Sequence, residues 1–527
     1  MIVDSIAIAE FPLFSKLDRT LSSGKENFTE FLQWPQDISS FQKIIESRKS
    51  FTTNREVLVK VLQDQYRTLG EKCDSIEMLL SPKTFTITTA HQPSLFTGPV
   101  FVISKAISAI KLAKQVKEQN PAFDILPVFV MGSEDHDVEE LNNTQINGST
   151  LVWSTDQRGP VGRFNLQGIE SLLQELDSLS LYSQYHAEII DLFTKAYSLD
   201  TFGQAFQYLL IKVLGQYGLI VLNTDDQRLK EVFRPYLMQE IMGSISKSQV
   251  NQTQQKLYDL GYDAAAFARD INVFYFGNGY REKIEREGDT FQVPGKERVF
   301  SKDEMIHEIQ EHPERFSPNV VMRPLYQEIL LPNLAYVGGG GELAYWLERK
   351  SQFTVFNVPY PMLVRRDSFM IIEPDQFKLL KQYQVRIEDL AMRSDLFVNT
   401  LAASISEHQF DLTRETNTLL AEMDKLKEKA IAMDTTLGPT VEGEKSKLIK
   451  SIEYIEKKML KAEKVKLEIH LNKVKKVKDK LMPDNSLLER KENYLTFYLK
   501  YGRLFIDTLL KDFNPLDNQF KVIEIGE

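Results

Sequence analysis

A chain of 527 residues, 42% hydrophobic and 26% charged, has the composition of an ordinary folded protein, which excludes disordered and fibrous classes. Its formal charge of -10 argues against nucleic acid as the main partner, and no run of uncharged apolar residues is long enough to suggest a membrane span. The single cysteine, Cys73, rules out an internal disulfide and suits a reducing compartment. The opening "MIVDSIAIAEFPLFSKL" lacks a basic segment and is broken by Asp4, Glu10 and Pro12, so it does not read as a signal peptide and a cytoplasmic protein is expected. Length allows about three domains, or one large core with a helical arm.

Residues 1–80 read as mostly helical and polar, with amphipathic pieces such as "NREVLVKVLQDQYRTLG". "TFTITTA" (84–90) is dense in β-branched residues and reads as a strand. It runs through "HQPSLFTGP" into an amphipathic helix ending near Asn120, and "FDILPVFVMG" (123–132) follows as a second strand. Strand, glycine-containing turn, long helix, strand is a βαβ unit, so the fold class is α/β with a parallel sheet. Helical patterns fill about 166–216, and "YGLIVLNTDD" (217–226) is a further strand ending in a carboxylate pair. Residues 228–259 are helical, 262–300 read as strand–turn–strand, and this stretch is an insertion between about 227 and 316. The core resumes with a proline-broken helix, a short strand "LAYV", four consecutive glycines and a helix opened by Glu342; residues 354–372 supply a last core strand.

Beyond about residue 373 the texture changes. Leu412, Leu419, Leu426 and Met433 recur every seven residues, with Thr416, Met423, Ala430 and Leu437 on the neighbouring line. After a Gly/Pro-containing turn the stripe restarts at Leu448, Ile452, Ile455, Met459 and Ala462, which predicts an antiparallel coiled-coil hairpin. The lysines of "LNKVKKVKDK" (471–480) lack accompanying arginine or aromatic residues and read as a solvated face. A final amphipathic helix precedes a strand-like tail, "FKVIEIG".

Polar clusters follow the strands. In "TTAHQPSLFTGP", His91, Gln92, Thr97 and Gly98 sit at a strand end and before a helix carrying Lys105, where open α/β sheets bind ligands. His91 is a donor for a phosphoryl oxygen and Lys105 its counter-charge, if the stem reaches back. "SEDHD" places Glu134, Asp135, His136 and Asp137 after the next strand, so the two clusters share one edge. A metal held by Asp135, His136 and His91 is one reading, but the spacing matches no zinc signature. Carboxylates fixing a substrate ammonium, or Mg²⁺ brought in with ATP, is another, and Asp135 or Asp137 capping the helix "VEELNN" is a third. In "VVMRPLYQE", Arg323 is a carboxylate or phosphate clamp, with Asn319, Tyr326 and Gln327 about it. The run Gly338, Gly339, Gly340, Gly341 permits close backbone approach to a ligand, and Glu342 and Tyr345 face the same space.

Taken together, "TTAHQPSLFTGPVFVISKAISAIKLAK", "LPVFVMGSEDHDVEELN", "RFSPNVVMRPLYQEILLPNLAYVGGGGELAYW" and "DNSLLERKENYLTFYLKYG" resemble the BshC family, the cysteine-adding ligases of bacillithiol biosynthesis. The resemblance runs through the whole chain in order. It implies a Rossmann-like core with inserted connective segments, a C-terminal coiled-coil domain and a homodimer. It also implies addition of cysteine to the amino group of glucosaminyl-malate. Two positions depart from the usual pattern: His91 stands where an amide is common, and Gly340 where proline is.

Joining a carboxylate to an amine is uphill in water, so ATP with Mg²⁺ is expected as the activating reagent, with no resident metal. His91, Glu134, Asp135, His136 and Asp137 are the catalytic candidates. Gln92, Thr97, Gly98, Lys105, Asn319, Arg323, Tyr326, Gln327, the four glycines, Glu342 and Tyr345 are the candidates for binding substrate or nucleotide. The expected division is a core over 1–372, a coiled-coil and helical domain over 373–515 with its last helix packing back on the core, and a tail over 516–527 on the core. The competing readings are a metal-dependent hydrolase and a non-enzymatic scaffold or nucleotide-binding module.

Overall fold

The computed structural model describes residues 1–24, 28–277, 279–406 and 412–526. A five-stranded parallel sheet organises the larger unit. Its strands are β1 (Thr84–His91), β2 (Asp124–Met131), β3 (Ile220–Asn223), β4 (Asn333–Gly338) and β5 (Met362–Arg365), in the spatial order β3-β2-β1-β4-β5. This is the Rossmann order, and the chain reverses its winding direction between β1 and β4. The β-branched "TFTITT" of β1 is buried on both faces. Its threonine hydroxyls turn toward β4: Thr86 Oγ1 lies 3.4 Å from Asn333 Oδ1, and Thr89 Oγ1 donates to Val337 O at 2.8 Å. The Phe101–Gln119 helix covers the sheet, and Ile87, Leu112, Val116, Leu334, Val337 and Val364 share one core cluster. Each such side chain contributes about 1.5–3 kcal/mol on burial.

Two long connections leave this sheet. Between β2 and β3 lie a hairpin (Asn143–Ile146 with Ser149–Val152) and four α-helices. Between β3 and β4 lie the Gln227–Gly243 and Ile245–Asp259 helices and two three-stranded antiparallel sheets. One of these pairs Val273–Gly277 with both Tyr280–Lys283 and Phe316–Pro318, so the expected strand–turn–strand segment is a larger, two-sheet insertion.

Residues 1–80 are not purely helical. Ile2–Ala7 is a strand that pairs with Gln519–Ile523, which in turn pairs with Ser368–Ile371. The expected single strand over 354–372 is therefore two, with β5 in the parallel sheet and Ser368–Ile371 in this second sheet. The chain divides into one unit of Met1–Ile371 with Glu489–Glu527 and another of Ile372–Leu488. The helices Leu495–Tyr501 and Arg503–Asp512 thus belong to the core unit rather than to a helical domain running to 515.

In the second unit the Thr413–Met433 and Gly438–Lys466 helices lie together. Lys427 pairs with Glu442 and Lys445 with Asp424, each at 2.5 Å, and Ile452 is the apolar side chain most deeply buried between them. Of the two seven-residue lines, Thr416, Met423 and Ala430 are half-buried, whereas Leu419, Leu426 and Met433 are exposed.

The C-terminal strand is anchored by charge. Asp367, buried, takes Lys521 at Oδ1, the Asn514 amide at 2.9 Å and the Ser108 hydroxyl at Oδ2 at 2.8 Å. Lys521→Met leaves that carboxylate buried without its cation and is expected to cost about 3–5 kcal/mol, read as a lower midpoint in urea unfolding. Introducing Asp367→Asn as well should recover part of this loss.

Candidate active site at the sheet switch point

The C-terminal ends of β1 and β4 flank the point where the winding reverses, the crevice in which such sheets bind ligands. The Phe101–Gln119 helix runs back from β1 and carries Lys105, fully buried, to this crevice. The Lys105 ammonium bonds Ala90 O at 2.7 Å and pairs with Glu342 Oε2 at 2.6 Å. Glu342 also accepts the Tyr336 hydroxyl at 2.7 Å and the Gly339 amide at 2.9 Å. Burial pushes its carboxyl up, but Lys105 and these donors outweigh burial and bring it down to about 2. Glu342 is therefore ionised at neutral pH.

Arg323, at the start of the Arg323–Leu330 helix, faces the same crevice. Its guanidinium donates to the Tyr345 hydroxyl at 2.8 Å and to Gln327 Oε1 at 3.3 Å, and lies 5.8 Å from the Tyr336 ring centroid. Gln327, buried, donates to Thr88 Oγ1 and Glu328 Oε1, both at 2.9 Å, which fixes the carboxamide that Arg323 meets. Burial opposes the Arg323 charge, but the tyrosines and Glu342 outweigh it and raise its pKa. Arg366 completes the rim, bonding Gly338 O through its amide and Glu489 through its guanidinium, both at 2.8 Å.

The four glycines hold no left-handed backbone. Space requires two of them, Gly338 and Gly340. A Cβ on Gly340 would sit 2.3 Å from the Asp18 carboxyl, which Arg365 grips at 2.8 and 3.2 Å, and one on Gly338 would reach 2.8 Å from the Tyr336 ring. The left-handed residues lie instead in the loop after β1, where Phe96, Thr97 and Gly98 have φ of 51°, 74° and 72°. Asn493 Nδ2 spans this turn, donating to Phe96 O and Gly98 O at 2.8 Å each.

A second polar cluster follows β2. Gln92 Nε2 donates to Asp135 Oδ2 at 3.0 Å, joining the β1 and β2 ends. Asp135 Oδ1 accepts the His136 amide at 2.7 Å and the Asp137 amide at 3.4 Å. Burial raises the Asp135 carboxyl, yet hydrogen bonds from His136 and Gln92 and the Arg281 charge pull it well below the carboxylate range. Glu134 is buried against the Lys230 ammonium, which also donates to Phe316 O at 2.9 Å. Arg281 lies over the Phe274 ring and reaches His136 Nδ1 at 3.1 Å, Ser317 Oγ and Pro318 O at 3.0 Å each.

His91 stands between these clusters, its Nδ1 2.9 Å from Gln92 O. A carbonyl oxygen only accepts, so Nδ1 carries the proton and Nε2 keeps its lone pair. Burial, reinforced by the Lys105 charge, pushes its pKa down to about 4. His91 is a neutral acceptor at physiological pH.

Two family models cover the chain end to end. The N-terminal Rossmann-like domain of "Bacillithiol biosynthesis BshC" matches residues 1–367, and the C-terminal coiled-coil domain of the same family matches residues 369–525. The chain belongs to the BshC family. Proteins named "Putative cysteine ligase BshC" are 37% identical over 533 residues in Flavobacterium johnsoniae and 36% identical over 538 residues in Christiangramia forsetii, with 100% of both chains aligned in each case. The relative from Cytophaga hutchinsonii is 34% identical over 519 residues, covering 97% of each chain. Membership makes this a ligase-type enzyme, its BshC fold being a Rossmann-like sheet followed by a coiled-coil region.

Within this BshC fold the geometry sorts the candidates. His91, Gln92, Lys105, Arg323, Gln327, Gly338, Gly339, Glu342 and Tyr345 converge at the switch point, and Asp135 is tied to them through Gln92. Several readings change. His91 has its one N–H committed to Gln92 O and carries no charge, so it accepts rather than donates to a phosphoryl oxygen. Lys105 reaches back as required, but to Glu342 and wholly buried, so it positions that carboxylate instead of meeting ligand. Glu134 is already neutralised by Lys230, and His136 Nδ1 lies 3.1 Å from the Arg281 guanidinium and 3.6 Å from Asp135 Oδ1. Asp137 occupies the N-cap position of the Val138–Leu141 helix without a side-chain cap bond and is exposed.

Four further binding candidates have structural roles. Asn319 is buried and accepts the Val321 amide at 2.8 Å; Tyr326 is buried with its hydroxyl on Thr224 O at 2.8 Å. Thr97 is fully buried, and Gly98 serves the turn. Among the described residues no three His, Cys, Asp or Glu side chains are grouped to hold a metal. Sequence reasoning missed Arg281, Arg366, Asp18 and Lys230, whose local contexts show no motif because distant packing alone brings them to the strand ends.

The His91 assignment has a pH signature. Its folded pKa of about 4 lies below the free value of 6.5, so between these values the unfolded chain binds the extra proton. The stabilisation is fully present above about pH 6.5 and is lost as pH falls toward 4. Relative to His91→Gln, wild-type stability should therefore fall by up to about 1.4 kcal/mol per pH unit in this window, measured by urea unfolding at several pH values. A difference independent of pH would contradict the neutral imidazole.

Proposed function

We propose that the switch-point crevice forms an amide between the carboxylate of L-cysteine and the amino group of glucosaminyl-malate, with ATP·Mg²⁺ activating the carboxylate. The observation that carries this reading is Arg323, held by Tyr345 and Gln327 near Glu342, the carboxylate that pairs with Lys105. A guanidinium so positioned suits a carboxylate or phosphoryl group and stabilises negative charge that grows as the amine attacks. The Gly338–Gly341 backbone fits close approach of a nucleotide, since Gly341 has open space where a side chain would stand.

Asp135, ionised and half-buried, suits the incoming ammonium. Once the amine has attacked, its N–H is acidic, and the His91 Nε2 lone pair suffices as acceptor despite its low basicity. Nucleic acid is not part of this reading, and no helix among the described residues is long and apolar enough to cross a membrane. With a single half-buried cysteine, the chain suits the reducing cytoplasm.

Incubating the purified protein with cysteine, glucosaminyl-malate and ATP·Mg²⁺ should yield the amide, with AMP marking an adenylate and ADP an acyl-phosphate. Arg323→Gln should lower kcat/KM by about a hundredfold, roughly 2.7 kcal/mol, and Asp135→Asn by more than tenfold, above about 1.4 kcal/mol. Amide formed without nucleotide would refute the ATP requirement.

The coiled-coil unit supports a homodimer. Leu419, Leu426 and Met433 are 44%, 54% and 86% exposed, an apolar line that the hairpin leaves uncovered. Sedimentation at micromolar concentration should give a dimer for the wild type and a shift to monomer for Leu419→Glu/Leu426→Glu. A monomeric wild type would remove this assignment.

A further inference from the structure

We infer that a cavity at the amino-terminal edge of the parallel sheet, opposite the active-site crevice, is a binding site for a small phosphate-bearing molecule. The cavity has a volume of about 500 Å³, large enough for a phosphorylated metabolite and not only a bare ion. It opens where β1, β2 and β4 begin, between Lys83, Phe123 and Pro332. With eight-residue strands at roughly 3.3 Å per residue, it lies about 25 Å from the His91 end.

Its lining is one-sided in charge. Arg48, Lys49, Arg55 and Lys83 contribute to it, and no aspartate or glutamate does. Lys49 is partly neutralised by Glu46 at 2.7 Å, but Lys83 is exposed at the rim and Arg55 spends one bond on Leu79 O. Arg48 is only 2% exposed, and its Nε and Nη1 have no hydrogen-bond partner among the described residues. Its Nη2 is committed to the backbone oxygens of Glu328 and Leu331 and to Thr53 Oγ1, so the guanidinium is rigidly held. The nearby Glu328 carboxylate does not complete it: Glu328 Oε1 takes Gln327 and Asn333 instead.

Two buried guanidinium nitrogens left without a hydrogen bond are costly, even with the Glu328 charge offsetting part of the burial of Arg48. Burial indeed draws the Arg48 pKa down to about 10. Because Thr53 Oγ1 accepts from Arg48 at 3.1 Å, its own O–H remains to donate outward. Several cations with a hydroxyl donor and no opposing carboxylate match a multiply charged phosphoryl group better than a single carboxylate. Phe51, under the Arg48 guanidinium at 4.8 Å, and Phe123, under Lys49 at 4.7 Å, give the rest of the molecule apolar walls.

Hydrogen exchange of the full-length protein tests this locally, independently of any phosphate bound at the catalytic crevice. Inorganic phosphate, compared with chloride at equal ionic strength, should slow exchange about twofold or more in peptides spanning residues 50–57 and 81–86. Arg55→Ala should abolish this protection. Lys83→Glu, at an exposed position that leaves folding intact, should weaken the apparent phosphate affinity about tenfold or more. Arg323→Gln should leave the protection unchanged. No phosphate-specific protection in the wild type, or an unchanged phosphate affinity in Lys83→Glu, would overturn the assignment.

Discussion

The Lys105–Glu342 ion pair, a fully buried lysine held by a half-buried carboxylate, is the constraint on which the candidate crevice depends. It joins the helix after β1 to the helix after β4, the two elements that diverge at the switch point. The Lys105 charge is expensive to bury, and removing Glu342 would cost about 3–5 kcal/mol because that ammonium would be left uncompensated. The pair persists because both charges are otherwise satisfied. Lys105 also meets Ala90 O, while Glu342 meets Tyr336 and the Gly339 amide. The Lys105 charge adds to burial in lowering the basicity of His91, and the Glu342 carboxylate supports the charge of Arg323.

A continuous hydrogen-bonded line runs beneath the sheet from this crevice to the cationic cavity at its far edge. Arg323 meets Gln327, Gln327 meets Glu328, and the Glu328 carbonyl meets Arg48. Burial raises the Glu328 carboxyl to about 7, which puts a titrating group in the middle of that line at physiological pH. The glycine run and the strained turn Phe96–Gly98 are the complementary devices at the crevice itself. One removes side chains to let Asp18 pack against the backbone, and the other places left-handed non-glycine residues where Asn493 can hold them. Left-handed conformations of this kind cost of order 1–3 kcal/mol each and persist only where surrounding contacts enforce them.

The helical unit is organised differently. Its hairpin is held by ion pairs and a half-buried stripe, with little fully buried surface, and its second heptad line faces outward. Such a hairpin gains from covering that line, which is the physical basis for the dimer assignment.

Much of this organisation was readable from residue pattern. The β-branched run of β1, the apolar run of β2, the glycine run after β4 and the seven-residue stripes each determine a local structure, because the periods of strands, turns and helices are properties of a few neighbouring residues. Polar residues directly after two parallel strands also had to share an edge, and the Gln92–Asp135 bond is the result. What the pattern could not decide is which charges are spent on each other. Glu134 and Lys230 are 96 residues apart, and Asp367 and Lys521 are 154 apart. In sequence each looks like an available catalytic group; in the fold they cancel. The same holds for His91, whose tautomer follows from one carbonyl and whose low basicity follows from burial and the Lys105 charge, and for Arg48, two of whose guanidinium nitrogens packing leaves without a hydrogen bond. Tertiary structure alone decides these matters, since the energy of a charge depends on every dipole and charge within a few ångströms, not on its neighbours in the chain.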